Sequence, residues 1–354
     1  MRTSVFALAA ALAVAPFAAQ ADTPLTVDIG GRVQATSQGY SFQWPGVYFE
    51  GRFKGDRLNV HFAPSGDIFA IVVDGKRSGT VTKPVGQTIE LSKLGAGEHT
   101  VRVERLTEDQ SNVSQFGGLS VPNAENALPA PAHARQIEFI GDSYTVGYGN
   151  TSGKQTCTRD EVWGTTDTSQ AFGPLTARHY DADYQVNAIS GHGIVRNYNG
   201  SPGDPVPVAY PYLTFAKTGE YHDAAWAPQI IVIGLGTNDY STPLNAGEKW
   251  ATRDALHADY EATYVKFVQS VRARNPNAYF ILMATDQVNG EIQTEVKNVI
   301  AALQTQGESR IAFIPMNALS FGGCDWHPTT ADDAAVSQSL ITFIDAHPEL
   351  WQGK

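Results

Sequence analysis

The sequence predicts two domains of different class: an all-β sandwich, and after it an α/β domain built on a parallel sheet. Three observations carry that reading. Short alternating segments recur between residues 25 and 121, broken by glycine, proline and aspartate and free of any helical period. From residue 136 onward apolar runs alternate with helical stretches, the order that yields parallel strands with helices on both faces. Between the two lies PNAENALPAPAHAR, residues 122–135, which is rich in proline and alanine and follows neither period, so it reads as a linker.

The chain opens on what reads as an export signal. Arg2 precedes an apolar run from Val5 to Ala18, and Ala19-Gln20-Ala21 supplies the small residues that signal peptidase accepts, so residues 1–21 stand outside the fold. The protein is then expected to be secreted or periplasmic, with a mature chain starting near Asp22. No later apolar run reaches the roughly 18 residues of a membrane span. The formal net charge is −11, and no basic cluster could follow a phosphate backbone, so nucleic acid is not an expected partner. Cys157 and Cys324 are the two cysteines. In an oxidising compartment such a pair is more often a disulfide than a metal site. With neither CxxC nor HExxH spacing in the sequence, no metal or other cofactor is expected.

Within residues 22–121, strands are expected at Tyr40–Phe42, Val47–Phe53, Leu58–Phe62, Ile68–Val73, Thr88–Leu91 and His99–Leu106. Asp74-Gly75 is a hairpin signal, because both central residues of a type I′ turn need positive φ. Many short strands with turn signals bury their inward faces against a second sheet, which predicts a sandwich of jelly-roll type.

Residues 136–354 should form the α/β domain, with strands at Ile137–Ile140, Tyr184–Ile189, Ile230–Leu235, Tyr279–Ala284 and Ile311–Pro315. A helix is expected from about Ala246 to Arg274, where Tyr260, Tyr264, Phe267 and Val271 fall three to four apart and Asn275-Pro276 stops it. Thr330 is a plausible cap for a last helix whose apolar stripe is Val336, Leu340, Phe343 and Ile344. Residues 196–228, with several prolines, glycines and tyrosines, read as a long irregular insertion of the kind that often lines a site.

The chemistry-bearing residues sit where these strands end. In QIEFIGDSYTVGY, residues 136–148, Gly141 turns the first strand sharply into Asp142 and Ser143. In open α/β sheets a hydroxyl placed there faces the crevice beyond the strands' carboxyl ends. Serine or aspartate after a strand is equally a favoured helix cap. SGHG at 190–193, GLGTNDY at 234–240 and CDWHP at 324–328 each follow an apparent strand or precede an apparent helix, as one shared pocket would require.

Ser143 in GDSYT, Gly191 in SGHG, Asn238 in GTND and His327 before Pro328 resemble, in this order, the SGNH hydrolases, a branch of the GDSL esterases. The β domain in front, the TCTRDEVW stretch and the GCDWHP ending narrow the resemblance to carbohydrate esterase family two, whose members remove acetyl groups from plant polysaccharides. The resemblance implies a serine esterase with Ser143 as nucleophile and His327 as general base. It implies an oxyanion hole made of the N–H groups of Ser143 and Gly191 and the side-chain amide of Asn238. These residue types suit the chemistry, since ester hydrolysis by covalent catalysis needs a nucleophile, a base and donors aimed at the developing oxyanion. Asn and Gly are also turn residues, so Asn238-Asp239 could cap the following helix. Asp142, beside the nucleophile, is expected to hold neighbouring loops.

One position departs from the wider superfamily, whose acid commonly stands three residues before the histidine; that place is Cys324. Asp325 is the available carboxylate, and family-two members differ in whether a carboxylate or a backbone carbonyl orients the base. Asp325 is the expected partner of His327. Trp326 could stack on a sugar ring or pack in the protein, with Tyr144 and Trp163 as further candidates for the cleft. A Cys157–Cys324 bridge would tie the loop after the first strand to the loop bearing His327. The expected substrate is an acetylated polysaccharide such as xylan or glucomannan. The alternatives are another small acyl ester, as for a lipase or thioesterase, or a carbohydrate-binding protein of weak activity.

Overall fold

The computed structural model describes residues 22–352, so the export signal lies outside the described residues. Residues 23–121 form antiparallel sheets: a five-stranded sheet built around Tyr48–Lys54 and Glu98–Arg105, a four-stranded sheet around Arg57–Pro64, and a three-stranded sheet. Their inward residues, among them Phe42, Phe49, Phe53, Val60, Phe69 and Val103, fill one core. Ile68–Val73 forms with the expected bounds, and Asp74 and Gly75, at φ 50° and 74°, turn it into Lys76–Thr82. The strand Lys76–Thr82 escaped the sequence reading because Val81 is its one buried residue, so no alternation marks it.

The second domain carries a five-stranded, all-parallel sheet: β1 (Arg135–Gly141), β2 (Ala182–Ala188), β3 (Ile230–Gly234), β4 (Tyr279–Thr285) and β5 (Ile311–Met316). Their spatial order is β2-β1-β3-β4-β5. The strand order reverses between β1 and β3, and a doubly wound sheet opens its ligand crevice at the carboxyl ends of such a pair. Gly141 lies in register with Ala188 of β2 and Gly234 of β3, so the turns that follow all three strands emerge side by side.

Both faces of the sheet are covered, as the near-continuous apolar strands require. Ile231 and Ile233 of β3 point into a core shared with the helices Arg253–Arg274 and Glu291–Thr305. Their neighbours Ile230 and Val232 point into the opposite core, with Phe172–His179 and Thr330–Ala346. Tyr260, Tyr264, Phe267 and Val271 are all buried in the first core; truncating Phe267 to alanine there would cost about 3–5 kcal/mol. That helix starts later than its apolar pattern suggested, because Thr252 caps it through the N–H of Ala255. At the last helix the cap is Thr329 rather than Thr330, in a reciprocal capping box with Asp332.

The sandwich packs closely on the sheet. Tyr48 stacks near Tyr184, with ring centroids 4.7 Å apart, and donates its hydroxyl to Asp183 on β2 at 2.6 Å. The middle of the insertion is held by the sandwich: Trp44 Nε1 donates to the Tyr212 carbonyl at 3.0 Å, and Phe215 N donates to Gln43 at 2.8 Å. That middle part therefore serves the domain interface, while the start of the segment, at Tyr198, is bonded to the Gly191 carbonyl.

Candidate active site

Ser143 opens a single helical turn, Ser143–Val146, directly after β1. The turn is tight because Gly141 has no Cβ; one built there would collide with Thr145 Oγ1. Asp142 caps the turn by accepting the Tyr144 N–H at 3.1 Å. Burial pushes the Asp142 carboxyl up to about 7, against the pull of that N–H, so it serves as an acceptor in the protein interior.

His327 reaches Ser143 from the loop after β5, with Nε2 2.8 Å from the serine Oγ. Desolvation lowers the imidazole pKa below its usual value, and the carbonyls behind it offset part of that effect, so the ring is neutral and able to accept a proton near neutral pH. Nδ1 faces two backbone carbonyls, Cys324 O at 3.0 Å and Asp325 O at 3.1 Å. Carbonyls only accept, which fixes the proton on Nδ1 and the lone pair on Nε2.

This corrects the expectation for Asp325. Its residue presents the backbone carbonyl to the ring, while its carboxylate turns away to accept the Tyr148 hydroxyl at 2.9 Å. The cause is local: Asp325 and Trp326 both have positive φ, 51° and 57°, and this turns the carboxylate outward. The Tyr148 ring in turn lies 4.3 Å from the His327 ring, centroid to centroid. Cys157 and Cys324 are joined in a disulfide, which ties this loop to the segment after Ser143.

The three expected oxyanion donors come together at the ends of β1, β2 and β3. Gly191 has φ 82°, a conformation that needs glycine, and neither its N–H nor that of Ser143 makes a backbone hydrogen bond. Asn238 is buried and held in place, its amide nitrogen donating to Asp142 at 3.1 Å and to the His192 carbonyl at 2.9 Å. An oxyanion would compete for one of these two N–H bonds.

Two further groups were missed by the sequence reading. Asp239 accepts the N–H groups of Ile194, Val195 and Arg196 at 2.9–3.1 Å, so it organises the loop after Gly191 instead of capping its own helix. From the sandwich, Glu108 accepts the Ser190 N–H at 2.9 Å and Gln110 donates to the Ser190 carbonyl at 2.9 Å. The DSY and NDY motifs gave a local signal near Asp239; nothing in the sequence near Glu108 connects it to a residue 82 positions away.

The aromatic candidates separate. Trp326, next to His327 in the chain, is 58% exposed. Trp163 lines a cleft of about 180 Å³ with Glu108, Tyr148 and Arg159, and Lys83 Nζ sits 4.4 Å from its ring centroid. Tyr144 does not fit its expected role: it is 7% exposed, packed edge-on to His327, and donates to Gln287 at 3.1 Å, so no face is open to a sugar. Tyr198, which the sequence reading did not single out, is 53% exposed and its N–H donates to the Gly191 carbonyl at 2.8 Å.

Comparison with known proteins gives the family of the chain. Residues 29–131 match the family described as Carbohydrate esterase 2 N-terminal, and residues 139–348 match the GDSL-like Lipase/Acylhydrolase family. Over 341 residues, 95% of each chain, the sequence is 47% identical to the acetylxylan esterase / glucomannan deacetylase of Cellvibrio japonicus (strain Ueda107). The chain belongs to carbohydrate esterase family 2. One solved carbohydrate esterase, whose active site is described as displaying divergent catalytic and non-catalytic binding functions, superposes with a TM-score of 0.88 at 46% identity, covering 93% of this chain and all of that one. A family two esterase from Clostridium thermocellum in complex with cellohexaose superposes with a TM-score of 0.81 at 26% identity, covering 92% of this chain and all of that one. As a family 2 member the protein is a carboxylic ester hydrolase acting on carbohydrate esters, with the two-domain fold of these relatives.

Proposed function

We propose that this family 2 esterase is secreted and removes O-acetyl groups from plant cell-wall polysaccharide, xylan or glucomannan, through an acetyl-enzyme. The observation that carries the proposal is the 2.8 Å contact between Ser143 Oγ and His327 Nε2, with the two backbone N–H groups of Ser143 and Gly191 beside it. Ser143 Oγ attacks the acetyl carbonyl as His327 takes its proton, and the oxyanion forms against those N–H groups and Asn238. His327 then protonates the departing sugar hydroxyl. A water, deprotonated by the same imidazole, attacks the acetyl-serine, and acetate leaves as Ser143 recovers its proton.

The substrate class rests on two supports. The relative at 47% identity is named for both xylan and glucomannan. The cleft beside Tyr148 is lined by Glu108, Arg159 and Thr166, polar groups that suit a sugar better than a long acyl chain. Secretion is supported by the leader at residues 1–21. A panel of acetylated xylan, glucomannan and pectin, with acetate release as the readout and a serine-directed phosphonate to trap the nucleophile, tests the proposal. The expected result is acetate from xylan or glucomannan and a single label on Ser143. No acetate from any of the three, or labelling elsewhere, would overturn it. A second reading is favoured by the cellohexaose complex of a relative and by exposed Trp326: the same cleft holding an unacetylated glucan without turnover. Inhibition of acetate release by cello-oligosaccharides would identify it.

A further inference from the structure

Three ligating side chains from distant parts of the sequence meet where the sandwich, the connecting segment and the parallel sheet come together. Asp28 lies on the sandwich strand Val27–Gly30, His133 just before β1, and Asp183 on β2. One atom of each, two carboxylate oxygens and a ring nitrogen, lie within 4.8 Å of one another. His133 Nε2 is 3.9 Å from Asp28, 3.9 Å from Asp183 and 3.8 Å from Glu50.

The other ring nitrogen decides what Nε2 offers. Nδ1 is 3.1 Å from the carbonyl oxygen of Asp181, which can only accept, so Nδ1 carries a proton. Nε2 then holds either a second proton or a lone pair. A proton there would have no acceptor, because every neighbouring carboxylate oxygen stands beyond hydrogen-bond distance. The His133 side chain is only 8% exposed, and both its Nε2 and the Oδ2 of Asp28 are buried without a partner. Two orphaned polar atoms facing each other across this gap leave room for an atom that binds both.

A divalent metal ion is the partner this chemistry selects. Zinc bonds to nitrogen and oxygen run about 2.0–2.2 Å, which sets tetrahedral ligands roughly 3.4 Å apart, so the two histidine–carboxylate separations of 3.9 Å need close by only about half an ångström. Imidazole with carboxylates suits zinc, whereas calcium and magnesium prefer oxygen alone. The outer partners are those of a metal site: the Asp181 carbonyl on Nδ1 and the Tyr48 hydroxyl on Asp183 at 2.6 Å. A cavity of about 600 Å³, lined by Glu50, Arg102, His133 and Asp181, gives access from solvent. No local motif announced the set, since its members stand at positions 28, 133 and 183.

We infer that Asp28, His133 and Asp183 bind one Zn²⁺ ion that pins the sandwich to the catalytic sheet. Zinc has to displace any proton held on Nε2, so binding should tighten as the pH rises and the titration is best made at pH 8. Untagged, chelator-stripped full-length protein is titrated with ZnCl₂ by calorimetry, and its melting temperature is followed with and without the metal. The expected result is one equivalent bound with Kd of about 10 μM or tighter and a higher melting temperature. His133→Gln should weaken Kd at least tenfold and abolish the rise in melting temperature. Weaker or non-stoichiometric binding by the unaltered protein would overturn the inference, as would a His133→Gln Kd less than tenfold weaker, which would assign the zinc to other histidines. Should His133→Gln not fold, Asp28→Asn, an isosteric change at a half-buried position, is held to the same criterion.

Discussion

The turn that carries Ser143 and the loop that carries His327 are built by different means. Ser143 follows a strand flanked on both sides, its backbone set by Gly141, by the Asp142 cap and by helical bonds from Thr145 and Val146 to the Asp142 carbonyl, all within six residues. His327 has a slighter local frame, a single turn closed by His327 N on the Cys324 carbonyl and by Gly323 N on the His327 carbonyl, both at 3.0 Å. Its loop contains Ala318, Phe321, Asp325 and Trp326 at positive φ, a conformation that costs non-glycine residues on the order of 1 kcal/mol or more each. Distant ties fix that turn in place: the bridge to Cys157, Cys324 N on the Gly149 carbonyl at 3.3 Å, Thr330 N on the Asn150 carbonyl at 3.1 Å, and Tyr148 on Asp325. The nucleophile is placed by regular structure and the base by cross-links, so damage to the two sides should differ in kind.

The largest effect belongs to the nucleophile itself. Ser143→Ala should lower esterase turnover by several orders of magnitude with an unchanged melting temperature, and more than a tenth of the activity remaining would show that the contact is not catalytic. Next is Asn238→Ala, expected to lose a hundredfold or more in kcat with little change in KM if the amide serves the oxyanion. A loss of stability without that loss in kcat would reduce Asn238 to a strut between Asp142 and His192.

On the base side the effects should be graded. Replacing both cysteines with serine opens a loop of 167 residues, which chain entropy values at up to about 5 kcal/mol of stability. Turnover should fall on the order of tenfold as His327 loses its alignment. Equal activity at equal stability would mean that the hydrogen bonds alone seat the loop. Asp325→Ala should stay within about tenfold of the unaltered enzyme, where a true carboxylate partner would cost about ten-thousandfold.

The smallest effect is a shift in a pH profile. Because desolvation lowers the His327 pKa, the acid limb of kcat/KM should have its midpoint below 6.5: the neutral base survives to lower pH than an ordinary imidazole. The charge of Asp325 is the weakest of the groups raising that pKa, so Asp325→Ala should move the midpoint slightly further down. An upward move would contradict the placement of that carboxylate.

The same contrast explains what could be read from the sequence. Ser143, Gly191 and Asn238 sit at strand ends, where a few adjacent residues dictate the backbone, and the structure gathers all three. His327 was found through its block of neighbours, but its partner was not, because spacing along the chain says nothing about φ at Asp325. The Tyr148 that claims the Asp325 carboxylate is 177 residues away. In the sandwich, Ile68–Val73 showed its alternation, whereas Val33–Thr36, with three of four residues exposed, offered no apolar face to detect.

Glu108 and Gln110 grip both polar groups of the Ser190 peptide backbone, one residue before the proposed oxyanion donor Gly191, and they do so from the other domain. The sandwich therefore braces the loop that carries the proposed oxyanion donor Gly191. For anyone recombining such enzymes, the two halves are not interchangeable cassettes: a catalytic half spliced behind a foreign module, or expressed alone, keeps every reacting side chain and yet loses the hand that steadies its anion-binding loop.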